Sequence, residues 1–176
     1  MPIGYAYFRC HMIFDVKIED FRRKAQLFAG GHMAETPATT NYANVVYREA
    51  VCLALVISEF NDPEVKCGDV LNAYITVPIG EKVWTNLGPE FGDDAGKWML
   101  IFRALYGLKS AGAAFCVHLG HCMQGLGYEP CIADPDLWMN TEVIPDDKYE
   151  YYSYILCYVD DIMVIHHDQA SLYRDI

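Results

Sequence analysis

Basic residues are scarce in this chain: 13 lysines and arginines stand against 24 aspartates and glutamates, which gives a net charge of -11. A protein that binds nucleic acid on its own usually carries a basic face that neutralises phosphates. The composition therefore excludes a generally basic binder and leaves only local contacts with phosphates. The consecutive basic residues 22–24 could supply such contacts, although a run of three is also typical of a solvated strand end or helix face.

Long apolar runs, a basic-then-apolar leader and CxxC pairs are all missing from the 176 residues. No stretch reaches the roughly 18 apolar residues that cross a bilayer, so the sequence predicts a soluble chain with no membrane partner. The seven cysteines are odd in number and irregularly spaced, which predicts reduced thiols in a cytosolic or nuclear setting rather than a disulfide framework. The length suffices for one domain with a hydrophobic core.

The stretch YYSYILCYVDDIMVI at 151–165 is the most informative part of the sequence. β-branched and aromatic residues on both sides of Asp160 and Asp161 predict two strands joined by a turn that carries both carboxylates. Asp-Asp lacks the glycine that the common hairpin turns favour. Two adjacent like charges therefore indicate either a cation held between them or simply a solvated acidic turn.

Hydrophobic periodicity places two helices in the remaining sequence. Residues 45–60 predict a largely buried helix that Pro63 stops, and a second helix is expected from Ser110, as its N-cap, to Gly127. The expected apolar face of the first helix comprises Val46, Ala50, Leu53, Ile57 and Phe60, widened by Val51, Leu55 and Val56. The expected buried stripe of the second comprises Phe115, Leu119, Cys122 and Leu126.

Short strands and loops account for the rest of the chain. Residues 14–18 and 21–28 predict a basic hairpin, and residues 30–44 a loop. Further strands are expected at 65–70, 83–87, 98–102 and 137–139, an acidic glycine loop at 89–96, an acidic connection at 142–148, and a last helix capped by Asp168. The alternation predicts an α+β or α/β sheet covered on one face.

Asp69 is a third carboxylate that extends an apolar strand face. It lies on the same side of its strand as Val65 and Cys67, and a carboxylate there is costly to bury unless it is paired or binds a metal. If the acidic hairpin lies beside this strand, Asp69, Asp160 and Asp161 converge. Such a set suits hard divalent cations, and two of them about 4 Å apart support phosphoryl transfer in polymerases, nucleases and phosphatases.

Five segments in this order resemble the reverse transcriptase of copia-type long-terminal-repeat retrotransposons. They are KAQLFAGGH at 24–32, GDVLNAYI at 68–75, ALYGLK at 104–109, ADPDLW at 133–138 and YVDD at 158–161. The resemblance implies an α+β fold with fingers and palm, in which an antiparallel sheet with the catalytic hairpin packs on helices and the thumb is absent. It implies one truncated domain, with about 1–66 mainly fingers-like and about 67–176 mainly palm-like and partly interleaved with fingers.

The resemblance also implies residue roles in RNA-directed DNA synthesis. Asp69, Asp160 and Asp161 would hold two Mg²⁺ or Mn²⁺ ions, together with the backbone carbonyl of Val70, for attack of a primer 3′-hydroxyl on an incoming deoxynucleoside triphosphate. Tyr74 would be the gate that excludes a 2′-hydroxyl. The remaining implied contacts are Lys24 to the triphosphate, and Gly107, Lys109 and Tyr158 to the template and nucleotide.

The partners implied in the same way are an RNA or DNA template with its primer, deoxynucleoside triphosphates and other parts of the polyprotein, in a cytoplasmic virus-like particle or the nucleus. Gln26, where the family has arginine, removes a cation from the expected triphosphate side. Ser110, Ala113 and Phe115 replace the family's Gln, Arg and Trp after ALYGLK. Since the family's thumb and ribonuclease H do not follow in this sequence, the expectation is a fragment or decayed copy.

Other interpretations of the sequence remain open. The same carboxylates could serve a metal-dependent phosphohydrolase, or the chain could be a noncatalytic remnant or interaction domain. A zinc site at Cys116, His118, His121 and Cys122 is disfavoured because Cys122 is expected on the buried stripe and no second pair completes a tetrahedral set. Cys67 is expected to pack rather than to act as a nucleophile, since no histidine is placed by sequence to activate it.

Overall fold

The computed structural model describes residues 3–18, 21–30, 43–144 and 148–168, and in these ranges the chain is a mixed α and β protein that is mostly sheet. Its strands are β1 (Ala6–Tyr7), β2 (Cys10–Val16), β3 (Arg23–Ala29), β4 (Glu64–Asp69), β5 (Pro78–Asn86), β6 (Trp98–Arg103), β7 (Glu129–Pro130), β8 (Leu137–Ile144), β9 (Tyr149–Tyr158) and β10 (Asp161–His166). Its α-helices are α1 (Arg48–Asn61) and α2 (Ala111–Gly125), and short 3-10 helices span Ala73–Thr76 and Pro89–Asp94. None of the helices in these ranges is long and apolar enough to cross a membrane.

The chain divides into two compact units that alternate along the sequence. The first unit comprises Met1–Tyr42 and Asn72–Phe115, and the second comprises Ala43–Leu71 and Cys116–Ile176. In the first, β5 pairs with β1 in parallel and with β6 antiparallel, while β2 and β3 form a separate antiparallel hairpin. Its apolar core gathers around Ala29, Ala104, Leu108 and Ala111.

The second unit contains a five-stranded antiparallel sheet in the order β4-β10-β9-β8-β7. Alternate residues of its strands point to opposite faces. One face packs against α1 through Leu156 and Ile165. On the other face, the Trp138 ring lies 3.5 Å from where a Cβ on Gly120 of α2 would stand. The expectation of a sheet covered on one face is therefore wrong, because the two helices contact opposite faces.

Helix α1 occupies its expected place but is not largely buried. Its buried residues are Ala54 and Ser58, which lie one turn apart on one face together with Ala50. Because these small side chains face the sheet, the bulky apolar ones lie elsewhere on the helix. The exposed set comprises Leu53, Leu55, Val56, Ile57 and Phe60. The helix ends at Asn61, where Asp62 is left-handed (φ 57°), which agrees with the stop expected near Pro63.

The ends of helix α2 agree with the prediction, but the set of residues that it buries does not. Gly127 follows the helix with a φ of 87°, and the helix begins directly after Ser110. The Ser110 hydroxyl is buried without a hydrogen-bond partner, so its side chain does not act as the predicted cap. Phe115 and Leu119 are buried with Met123, whereas Cys122 is exposed. The prediction that Cys122 is buried is wrong, because the buried face passes through Met123.

The remaining elements lie where the sequence predicts them, but several differ from the prediction in length. The basic hairpin forms, with a first strand that is longer than predicted and a second that is one residue shorter. The strand expected at 137–139 continues to Ile144, into part of the predicted acidic connection. A 3-10 helix occupies the predicted glycine loop. Most of the loop predicted at 30–44, residues 145–147 of the acidic connection and the last helix fall outside the described residues.

Candidate functional site

The pairing of β4 with β10 places two of the three predicted carboxylates opposite each other. Asp69 is the direct cross-strand partner of Asp161 in this antiparallel pair. Direct partners point to the same face of a sheet, and both residues are exposed. The condition for the predicted convergence, that the hairpin lies beside the Asp69 strand, is met.

The hydrogen bonds around this pair determine how close its side chains are. The Val70 amide donates to the Asp160 carbonyl at 2.8 Å, which is the bond that flanks a non-hydrogen-bonded pair. In such pairs the Cα atoms stand about 4.5 Å apart and the side chains are closer than in hydrogen-bonded pairs. The two carboxylates therefore project from the closer kind of antiparallel position.

The turn of the hairpin is shifted by one residue from the prediction, which placed Asp160 and Asp161 in it. Tyr158 pairs with Asp161, so the turn consists of Val159 and Asp160, and Asp161 is the first residue of β10 rather than part of the tip. Val159 has a φ of 59°, a conformation that is unusual for a β-branched residue. Such backbone strain is held only where the surrounding structure imposes it, and here the two paired strands do so.

The carboxylates of Asp69 and Asp161 suit a hard cation by their chemistry and their pairing. Like charges at directly opposed positions destabilise a sheet, and a divalent cation with oxygen ligands removes that repulsion. Within the described ranges, no three His, Cys, Asp or Glu side chains are grouped so that they could hold a metal ion. The structure thus brings Asp69 and Asp161 together as a pair and does not group all three aspartates.

An open, mainly apolar cavity of about 620 Å³ adjoins this pair. Asp161 and Tyr158 of the hairpin line it together with Cys67 and Gly68 of β4 and Arg48 at the start of α1. Tyr158 is 56% exposed. The predicted template contact therefore presents its ring at a concave surface beside the acidic pair.

Tyr74 lies in the first unit, within a chain of aromatic rings. Its ring centroid is 4.5 Å from that of Tyr106 and 5.9 Å from that of Phe115, and Tyr106 is 5.6 Å from Phe28. Offset and edge-on aromatic contacts at these distances hold rings in place. No separate role was predicted for Tyr106, although its place in ALYGLK, beside Gly107, was a signal that could have identified it.

Gly107 lets two backbone segments approach closely. It has a φ of 92°, and a Cβ at this position would collide with the Ala29 carbonyl oxygen. The Ala29 amide donates to the Tyr106 carbonyl at 2.8 Å. Glycine is needed here because β3 comes close, and the template contact predicted for Gly107 stays a prediction.

Lys24 and Lys109 also lie in the first unit. Lys24 is exposed on β3 opposite Asp15 of β2, and opposite charges at such positions attract one another. Lys109 is half-buried, between Leu108 and Ser110 at the start of α2. These positions place one of the predicted cations on a strand and the other at a helix start.

Asp134 is a buried structural residue whose role the sequence did not indicate. It is 3% exposed; one carboxylate oxygen accepts from the Tyr47 amide at 2.8 Å and the other from the Asp136 amide at 3.1 Å. The Asp134 carboxylate thus accepts from the Tyr47 amide, a backbone donor at the start of α1 that the helix itself leaves without a partner. The ADPDLW segment thereby ties α1 to the sheet.

Asp136 lies beside the buried thiol of Cys157. Burial, followed by the charge of Asp134, raises the pKa of Asp136 above its usual range. Burial, followed by the charge of Asp136, raises the pKa of Cys157 to about 12. The Cys157 thiol is thus held away from its thiolate form, which is typical of packing rather than of a nucleophile.

Among the other candidates, the Cys122 Sγ lies 3.9 Å from the His118 Nε2, with both residues exposed. This exposure removes one of the two reasons that disfavoured a metal there, while the other stands, since the described residues contain no third donor grouped with this pair. His166 is buried, and its Nδ1 accepts from the Asp168 amide at 2.7 Å. Cys67 is exposed rather than packed, so the packing expected of it is wrong.

Two curated proteins from Arabidopsis thaliana match the chain over most of its length. The retrovirus-related Pol polyprotein from transposon RE1 is 26% identical over 164 residues, which are 88% of this chain and 10% of the polyprotein. The retrovirus-related Pol polyprotein from transposon RE2 is 27% identical over 176 residues, which are 93% of this chain and 11% of the polyprotein. The chain spans about a tenth of the length of these relatives. No protein-family model matches it, and no solved structure matches it significantly.

Proposed function

We infer that this chain derives from a retrotransposon Pol polyprotein, and we propose that it is the fingers and palm region of an RNA-directed DNA polymerase of the copia type. The origin is supported by the similarity to two such polyproteins over 88% and 93% of the chain. The proposed activity is the addition of deoxynucleotides to a primer 3′-hydroxyl on an RNA or DNA template. The observation that carries it is the direct pairing of Asp69 with Asp161 at the base of a strained hairpin.

The residues proposed to hold Mg²⁺ or Mn²⁺ are the carboxylates of Asp69, Asp160 and Asp161 and the Val70 carbonyl. When bound, such ions activate the attacking oxygen and stabilise the leaving one in phosphoryl transfer. The protein contributes placement, because the strand register fixes the side chains of Asp69 and Asp161 on one face. The bond from the Val70 amide to the Asp160 carbonyl fixes the turn against β4.

The nucleotide contacts proposed for the first unit depend on side chains that neighbouring residues keep in place. Tyr74 is the proposed sugar gate, and a gate discriminates only if its ring cannot yield to the extra hydroxyl. The contacts with Tyr106 and Phe115 supply that resistance. Lys24, exposed on β3, is the proposed partner of the triphosphate, to which it would bring a compact positive charge.

The test is single-nucleotide extension of a DNA primer on an RNA template with Mg²⁺ or Mn²⁺. The chain is expected to extend the primer, and Asp160→Asn is expected to lower the rate at least 100-fold. Glu129→Gln is the matched control, since Glu129 is an exposed strand carboxylate opposite the uncharged Met139. Its rate should equal that of the parent chain.

The same experiments distinguish two alternative functions. Release of phosphate from a phosphoester without primer and template, lost in Asp160→Asn, would identify a phosphohydrolase. A folded chain that neither extends the primer nor binds Mn²⁺ would identify a noncatalytic remnant. Either result would overturn the proposed polymerase activity.

A further inference from the structure

The outer face of α2 is exposed and uncharged. No Asp, Glu, Lys or Arg occurs anywhere in the helix Ala111–Gly125, although the chain is 21% charged and carries a net charge of -11. The solvent side of a helix normally carries its charged residues. The exposed positions of this face are Val117, His118, His121, Cys122, Gln124 and Gly125.

Two soft donor atoms meet on this face. His118 and Cys122 are one helical turn apart, a spacing at which side chains are neighbours. The Cys122 Sγ and the His118 Nε2 are 3.9 Å apart. Because both side chains are exposed, each can change rotamer without disturbing the packed side of the helix.

The separation of these atoms suits one tetrahedral metal ion. With zinc–sulfur and zinc–nitrogen bonds of about 2.3 and 2.05 Å, a tetrahedral angle puts sulfur and nitrogen about 3.6 Å apart. The observed 3.9 Å differs from that distance by a few tenths of an ångström. A small side-chain rotation therefore suffices to chelate zinc.

We propose that His118 and Cys122 are one half of a tetrahedral zinc site, which a second copy of this chain completes with the same two residues. Structural zinc sites take four protein donors, and no group of three His, Cys, Asp or Glu occurs in the described ranges of one chain. A two-fold axis through the metal doubles the pair to four donors, since a symmetric dimer uses the same patch twice.

The uncharged face also permits the approach that this site requires. Two copies repel each other overall, because each has a net charge of -11, but α2 itself brings no like charges together. Val117, 60% exposed, adds apolar surface beside the donors. On binding, each Cys122 thiol releases its proton to solvent as its zinc–sulfur bond forms. The proposal does not depend on the polymerase activity.

The test is a titration of the fully reduced chain with Zn²⁺, followed by sedimentation and metal analysis. The expected results are one zinc per two chains and a doubling of the 20.0 kDa mass. Co²⁺ in place of Zn²⁺ should give the absorption bands of tetrahedral sulfur and nitrogen coordination. Cys122→Ser and His118→Ala should each raise the zinc concentration needed for dimerisation at least tenfold.

Three control variants separate this site from other donors. His121→Ala tests the neighbouring histidine, while Cys52→Ser and Cys67→Ser test two other exposed thiols; all three should dimerise like the parent chain. Dimerisation that persists in Cys122→Ser, that is lost in Cys67→Ser, or that needs no zinc would overturn the proposal. One zinc per chain with an unchanged mass would overturn it as well.

Discussion

Asp69 and Asp161 are opposed across two paired strands, and each directs its carboxylate to the same face of the sheet. The strand register keeps the two charges in this position whether or not a cation is present. A protein with no use for the pair would gain stability by neutralising either member. If the pair serves the proposed chemistry, its charge repulsion should lower the free energy of unfolding by a measurable amount.

Asp161→Asn is expected to stabilise the fold in the absence of divalent cations. Removing one of two directly opposed like charges should raise the free energy of unfolding by roughly 0.2–1 kcal/mol. Mg²⁺ should then raise the melting temperature of the parent chain but not that of the variant. Urea denaturation without Mg²⁺ measures the first effect, and thermal denaturation with and without Mg²⁺ measures the second. Glu129→Gln serves as the control, and an equal gain in that variant would contradict the explanation.

Val159→Gly is expected to stabilise the hairpin. A valine at a φ of 59° is strained, at a cost of about 1–3 kcal/mol, whereas glycine adopts this conformation freely at an entropic cost below about 1 kcal/mol. The net gain in unfolding free energy should be about 1 kcal/mol, measured by urea denaturation. Val143→Gly, at an exposed position of β8, should instead destabilise the chain. A loss at Val159 equal to that at Val143 would show that the turn is unstrained.

Gly107→Ala is expected to destabilise the first unit strongly. Its φ of 92° strains any side chain, and the added methyl group would collide with the Ala29 carbonyl. The free energy of unfolding should fall by about 2–3 kcal/mol or more. Gly80→Ala is the matched control, because a Cβ there meets nothing within 4 Å. Thermal denaturation of the two variants should differ clearly, and similar melting temperatures would refute the close approach.

Tyr128 is expected to govern part of the alkaline unfolding. Burial is the main cause that raises its pKa to about 12, while the hydrogen bond with Ser153 opposes that rise. Below pH of about 10 both states keep the proton; above it the unfolded chain loses the proton first. Stability should therefore fall by up to about 1.4 kcal/mol per pH unit until the folded state also titrates near pH 12.

The measurement is urea denaturation of the parent and of Tyr128→Phe between pH 8 and 12. At pH 8 the variant should lose about 1 kcal/mol, because the 2.8 Å hydrogen bond to Ser153 is gone. Its stability should depend less on pH above about 10. Tyr149→Phe, at an exposed position, should behave like the parent. An unchanged pH dependence in Tyr128→Phe would show that the buried phenol is not the group responsible.

Local patterns in the sequence predicted much of the fold. The acidic hairpin, the strand that ends at Asp69 and the C-terminal stop of α2 at Gly127 all follow from residue type and spacing. The burial of α1 did not follow, because periodicity cannot tell which of several apolar stripes faces a sheet. The stripe with the small residues Ala54 and Ser58 is the one that packs. Periodicity likewise could not tell that Met123, rather than Cys122, is the buried residue of α2.

The sequence by itself determined which chemical groups this protein has: two adjacent aspartates between strand formers, a third at the end of an apolar strand, and a histidine and a cysteine one helical turn apart. Tertiary structure alone decided which of these groups meet. The register of β4 against β10 set Asp161 opposite Asp69, and the packing of α2 left His118 and Cys122 exposed. The physical reason is that strand register and helix rotation depend on contacts between residues far apart in the chain, which local spacing does not contain.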